Sequence, residues 1–337
     1  MNTVKKSGFS LNLIKQTLTG FREGTVIIII IAVGAILSFL TPHFLTTDNL
    51  RTTAIGLSAD GIVAIGMTIA LVSGGFDLSV GSILGLTSVS TASMFSLGIN
   101  IWPAMLLGLL VALVVGLING LLIGKIGINP FITTLATMSI ARGAAYVITR
   151  GSPISIKDCP DCFRFLGRGD FIGLPFIVMV FVIFAIFGDV MMRRSAPIRK
   201  VFYTGSNEKA AILSGINTTR VKIGVFLLTA LLAGIAGILS VARFGVATPT
   251  QGTSTEMRVI SAAVIGGASL SGGEGSILGT VLGVILLNVI NNALVLLNIS
   301  VYWQSLISGV ILITAVTIDH VTHQRKLNKV ITAEEAE

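Results

Sequence analysis

Long apolar runs, each near the length that crosses a bilayer as a helix, alternate along this chain with short polar breaks. By the rule of roughly 20 apolar residues per helical span, the runs fall at about 24–41, 54–72, 77–98, 101–124, 128–149, 171–192, 222–243, 259–273, 276–297 and 301–318. The pattern predicts an all-α polytopic membrane protein of about ten transmembrane helices. The pair meeting at 73–77 and the short run 259–273 read as broken or re-entrant segments, whose free backbone groups must be buried against protein. The first run is long enough to stay in the bilayer and lacks a small-x-small cleavage site, so it is expected to remain as a span.

Composition sharpens this. The chain is 53% hydrophobic and only 11% charged, where a soluble domain carries about 25% charge, and its mean hydropathy is +0.93. The net charge of +8 falls in a few interspan loops without the basic and aromatic stripe of a nucleic-acid surface, which excludes nucleic acid as a partner. Positive-inside topology accounts for it. Lys5, Lys6, Lys15 and Arg22 precede the first span, Arg193 to Lys222 fill the loop between the sixth and seventh, and Arg325, Lys326 and Lys329 follow the last. The chain therefore divides into a cytoplasmic N-terminal segment, 1–23, a membrane domain, 24–320, with an inner loop at 193–221, and a cytoplasmic tail, 321–337. With ten spans Lys125 also lands inside, and the loop from Arg150 to Asp170 faces outward.

The breaks carry the best functional signal. Ser73-Gly74-Gly75-Phe76-Asp77-Leu78-Ser79-Val80-Gly81-Ser82 interrupts the second and third runs, and Ser271-Gly272-Gly273-Glu274-Gly275-Ser276 interrupts the chain again near its far end. An acid at membrane depth costs about 2.5 to 3.5 kcal/mol, so Asp77 and Glu274 are expected to face protein or water and to belong to a passage or its gate. Both lie beside Ser-Gly-Gly and precede Gly-Ser-Ile-Leu-Gly, which suggests an internal repeat of halves near 50–190 and 220–320. Gly81 and Gly85, then Gly116, Gly120 and Gly124, then Gly275, Gly279 and Gly283, recur every four residues, as helix-packing faces do. Asn119, Asn129, Asn288, Asn291 and Asn292 are polar candidates for the pathway lining or for bonds between helices, and Arg142 is a structural cation inside a span.

Soluble-enzyme chemistry is excluded by spacing. Gly120 to Ile126 ends like a phosphate-binding loop, but Asn119 stands where the first glycine belongs and no Ser or Thr follows Lys125. Gly273-Glu274-Gly275 has Leu278 in place of the third glycine of a dinucleotide fingerprint. His43, His320 and His323 are too scattered for zinc. The chain is expected to be non-catalytic, with no cofactor and no metal. Cys159-Pro160-Asp161-Cys162 has the spacing of a redox or metal half-site, yet two ligands hold no metal alone; a small disulfide in an oxidising compartment, or two thiols without special role, are the structural readings.

Within the inner loop, Ser206 to Asn217 reads as a short helix: Ser206 or Asn207 caps it, Glu208 sits early, and Gly215 ends it. Ala210, Ala211 and Leu213 are expected to present a small apolar surface, with Lys209 in water. A basic loop lying on anionic lipid is the plainer alternative.

Three signatures, Ser73–Ser82, Lys209-Ala210-Ala211 to Gly215, and Ala263 to Thr280, together resemble the permease subunit of bacterial ABC importers for monosaccharides, the ribose, xylose, galactofuranose and autoinducer-2 group. The resemblance covers about 24 to 320. It implies a type II importer permease in the bacterial cytoplasmic (inner) membrane, paired with a second copy or a paralogue, served by an extracytoplasmic solute-binding protein and driven by two cytoplasmic ABC ATPase subunits. It also implies that Glu208, Lys209, Ala210, Ala211 and Gly215 form the helix that seats in the ATPase. An importer permease for branched-chain amino acids shares the same partner logic, and an ion-coupled secondary transporter shares the broken helices.

Overall fold

The computed structural model describes residues 22–317 apart from 157, 301, 304, 305, 308, 312 and 315. The basic segments expected before residue 22 and after 320 lie outside the described residues. Twelve helices follow in order: α1 Arg22–Leu40, α2 Thr47–Val72, α3 Val80–Ser96, α4 Ile101–Leu121, α5 Pro130–Thr149, α6 Asp161–Arg168, α7 Phe176–Arg194, α8 Ala196–Ser206, α9 Glu208–Leu213, α10 Thr218–Phe244, α11 Thr255–Ile265 and α12 Ile277–Leu296. Two small antiparallel pairs occur: β1 Ile154–Ser155 with β4 Val246–Ala247, which joins distant loops, and β2 Asp170–Phe171 with β3 Leu174–Pro175, a local hairpin.

Local chemistry sets the helix ends. Thr46 caps α2 by accepting from the Asn49 N–H at 3.4 Å. α5 starts on Pro130 with Asn129 as cap, where the missing proline N–H costs nothing. α4 runs on into a π-helical turn, Leu122–Ile126, that left-handed Gly127 stops.

Seven of the described helices are long and apolar enough to cross a membrane, α3 is a shorter apolar helix, and the chain is a multi-pass membrane protein. Burial separates them into two roles. In α2 and α10, 78% of the spanning window is buried, against 17% in α1, 22% in α7 and 28% in α5. α2, α10 and the shorter α3, whose residues Val80 to Ala92 are all buried, form the centre of the bundle, while α1, α4, α5 and α7 form its wall, with Ile31, Phe39, Leu106, Ile140, Val147 and Ile183 turned outward as lipid-facing side chains are. The main core joins α2, α3, α10, α11 and α12, and a second cluster around Ile156, Phe163 and Val241 closes the end nearest β1.

The structure sets the bounds of the expected spans and breaks. The run 54–72 begins at Thr47, because its polar first turn is capped rather than excluded. The run 77–98 starts at Val80, after a non-helical turn. The run 259–273 is the 11-residue α11, about 16 Å long and too short to cross; Gly266 to Ser276 follow it as irregular chain. Of the tenth run, 301–318, only part is described, and those residues are helical.

Candidate functional site

Asp77 is fully buried in the turn between α2 and α3. Its Oδ1 accepts from the Ser79 N–H at 2.9 Å and from the Ser79 hydroxyl, and its Oδ2 accepts from the Thr229 hydroxyl at 3.0 Å. Ser79 Oγ in turn accepts from Asn119 Nδ2 at 3.0 Å. One carboxylate thereby ties the start of α3 to α10 and α4.

The two breaks touch. The Gly273 N–H donates to the Val72 carbonyl at 2.9 Å, and a Cβ placed on Gly272 would lie 2.8 Å from Gly74 Cα. Gly205, at the end of α8, is wedged between them; a Cβ there would overlap the Val72 carbonyl oxygen and sit 2.9 Å from the Gly273 nitrogen. Gly272 and Gly273 both take positive φ, 84° and 74°, which glycine alone adopts freely. The backbones of α2, α8 and the α11–α12 connection converge here, with the small side chain of Ser206 packed on Gly273. Glu274 differs from Asp77: it is exposed, and its carbonyl accepts from the Ser269 N–H at 3.0 Å, closing the second break into a compact loop.

Three residues beyond Gly205 begins α9. Asn207 caps it, accepting from the Ala210 N–H at 3.0 Å, Gly215 leaves it with φ 79°, and Glu208 pairs with Lys222 at 2.6 Å. Lys209 and Ala210 are exposed, but Ala211 is only 3% exposed, which corrects its expected place on the outer surface. A six-residue helix lying against α8 and α10 has one inward face, and Ala211 occupies it. The outward apolar tip is Ile212 and Leu213, 55% and 89% exposed.

The remaining candidates separate. Asn129 is exposed and accepts from the Phe131 N–H at 2.8 Å as a helix cap. Asn292 and Asn49 exchange amide hydrogen bonds at 2.8 and 3.0 Å, joining α12 to α2. Asn288 and Asn291 line a narrow crevice with Asp60 and Arg258. Gly116, Gly120 and Gly124 lie against α10, Gly279 and Gly283 lie against Gly266 and Ala262, and Gly275 lies on Val72 and Ala268. Gly81 and Gly85 take the backbone carbonyls of Gly252 and Gln251 together with the side chains of Glu256 from α11 and Arg142 from α5, so their smooth face admits a loop as well as neighbouring helices, which a glycine pattern cannot foresee. Cys159 and Cys162 are free thiols. Of the two structural readings the unpaired thiols hold: Cys159 turns into the Phe163 cluster and Cys162 turns outward. No group of three metal-ligating side chains occurs among the described residues.

A row of charges inside the bundle escapes a reading by hydropathy. Asp60, midway along α2, pairs with Arg258 of α11 at 2.8 Å. Glu256 lies within electrostatic reach of both Arg258 and Arg142 of α5, so basic and acidic side chains alternate along the row. Arg142 Nη1 donates to the carbonyls of Pro249 and Gln251 at 2.6 and 2.7 Å, holding the loop before α11 at the level of the middle of α2 and α5. Two opposite charges within apolar runs, Asp60 and Arg258, are the signal that could have found it.

Residues 49–316 match the family model described as branched-chain amino acid transport system / permease component. The chain is 40% identical over 284 residues to the ribose import permease protein of Bacillus subtilis (strain 168), covering 84% of this chain and 88% of that one. It is 37% identical over 315 residues to the ribose import permease protein of Escherichia coli (strain K12), with 90% and 98% covered. It is 38% identical over 289 residues to the L-arabinose transport system permease protein of the same organism, with 86% and 88% covered. No solved structure matches.

Proposed function

The chain belongs to the branched-chain amino acid transport system permease component family, and from that premise we propose that it carries a monosaccharide across the bacterial inner membrane as the permease subunit of an ABC importer. The observation that carries the sugar reading is the near full-length likeness to ribose and arabinose permeases. Two ATPase subunits bind at the basic end, which faces the cytoplasm with both termini; a solute-binding protein delivers the sugar at the other end; and a second permease copy or paralogue completes the pathway. The chain breaks no bond in the sugar. Its part is to convert movement at α9 into rearrangement of the breaks, through Gly205 and through α10, which carries Thr229 to Asp77.

The test is uptake by proteoliposomes holding the chain with its co-expressed ATPase and solute-binding proteins, supplied with labelled pentoses, hexoses and leucine. Uptake of one sugar that requires ATP and the binding protein is expected. Leucine uptake alone moves the assignment to amino-acid import, and ATP-independent uptake driven by an ion gradient moves it to secondary transport.

Docking at α9 makes its own prediction. Leu213→Glu puts a charge on the exposed tip, and loss of a central apolar anchor costs about 2 kcal/mol or more of binding. Uptake should fall about tenfold or more while membrane insertion and thermal midpoint stay unchanged. Ala211→Glu should lower stability as well, because that side chain points inward. Wild-type uptake by Leu213→Glu removes α9 as the docking element.

A further inference from the structure

The loop Thr248–Ser254 has features that a simple connection between helices does not need. It lies at the depth of Asp60 and Arg142, each well inside its span, and it is not helical. Irregular backbone at membrane depth survives only where protein buries it or where it borders water. Here its inner side is buried: the carbonyls of Gln251 and Gly252 rest on Gly85 and Gly81 of α3, and Arg142 binds two of its carbonyls. Its other side is open, with Thr250, Thr253, Ser254 and Met257 exposed. Three hydroxyl-bearing residues therefore face away from the bundle at a level where lipid offers them nothing.

Gln251 stands at the tip of this loop. Both polar atoms of its amide are shielded from solvent and have no hydrogen-bond partner, a cost of about 1 to 3 kcal/mol for a group left unmade. Acids and bases alternate along the row Arg142, Glu256, Arg258 and Asp60 nearby, and no charged side chain bonds to either polar atom of the amide. An amide offers two donors and an acceptor, which matches neighbouring hydroxyls on a neutral polyol.

We propose that Thr248–Ser254 is a sugar-contacting constriction of the pathway, with Gln251 as its hydroxyl-reading residue and Arg142 as the positioning residue that holds the loop in place. This rests on the monosaccharide reading above and adds a selectivity element within the membrane to that of the delivering protein. As the loop moves, the Gln251 amide exchanges its unpartnered state for hydrogen bonds to the passing sugar, and the exposed threonines accept the remaining hydroxyls.

The experiment uses the full transporter in proteoliposomes with saturating sugar-loaded binding protein, comparing the unaltered chain with Gln251→Leu and Gln251→Glu. Gln251→Leu should lower maximal uptake about tenfold while ATP hydrolysis stimulated by the loaded binding protein persists, so that more ATP is spent per sugar. Gln251→Glu should alter the ratio of rates among pentoses and hexoses. Uptake and selectivity equal to the unaltered chain overturn the proposal. So does a parallel fall of uptake and ATP hydrolysis, which marks a structural role, or a loss of pairing between permease chains, which marks an interface. Absence of sugar uptake by the unaltered chain would instead remove the monosaccharide reading itself.

Discussion

Gly205→Val should reduce ATP-driven uptake about a hundredfold while the ATPase partners retain their basal hydrolysis. The side chain would have to occupy the space of the Val72 carbonyl and approach the Gly273 nitrogen, and neither is the end of a flexible side chain that can swing aside. Forcing bulk into such a contact costs about 3 kcal/mol, and the same free energy charged to the transport step is about a hundredfold in rate. Gly205 lies between α9 and both breaks, so the substitution separates the docking element from the parts it has to move. Gly224→Ala is the control, because a Cβ there meets nothing within 4 Å and should leave uptake unchanged. Uptake by Gly205→Val within about twofold of the control would show that the junction transmits nothing.

Asp77→Leu should be the most destabilising single change in the first break. It leaves the Ser79 N–H without an acceptor and takes one partner each from the Ser79 and Thr229 hydroxyls, all in a dry part of the bundle. Orphaned buried groups cost about 1 to 3 kcal/mol each, and the loss should appear as poor expression and a lowered thermal midpoint in detergent. Asp77→Asn should be milder, since its carbonyl still accepts from Ser79 and Thr229 already donates to the Phe226 carbonyl at 3.0 Å. Equal stability of Asp77→Leu and the unaltered chain would deny the carboxylate its structural role.

The breaks were legible in the sequence because glycine pairs and acids are costly inside an apolar span and, set side by side, mark where a helix stops, and α9 was legible because Asn207, Glu208 and Gly215 are cap, first-turn acid and terminator in the right order. What those residues touch was not. The inward turn of Ala211 depends on where α8 and α10 lie, and the meeting of Gly74, Gly205 and Gly272 depends on three segments far apart in the chain. The loop Thr248–Ser254 falls between the predicted runs 222–243 and 259–273 and carries no signal of its own, because hydropathy reports how apolar a segment is and says nothing of the depth to which neighbouring helices draw it. The Cys159–Cys162 spacing invited a bond that the opposite orientations of the two side chains do not make.

The Asp60–Arg258 pair also bears on how the protein is made. Its partners lie 198 residues apart, so when α2 leaves the ribosome and enters the membrane, the cation that will neutralise Asp60 has not been synthesised. Until α11 arrives the carboxylate has to be protonated, reach water, or be sheltered by the insertion machinery. Arg258→Leu should therefore lengthen the time that newly made chains stay protease-sensitive, a delay visible in a pulse-chase experiment. Asp60→Leu combined with Arg258→Leu should shorten it again, because neither residue then waits for the other.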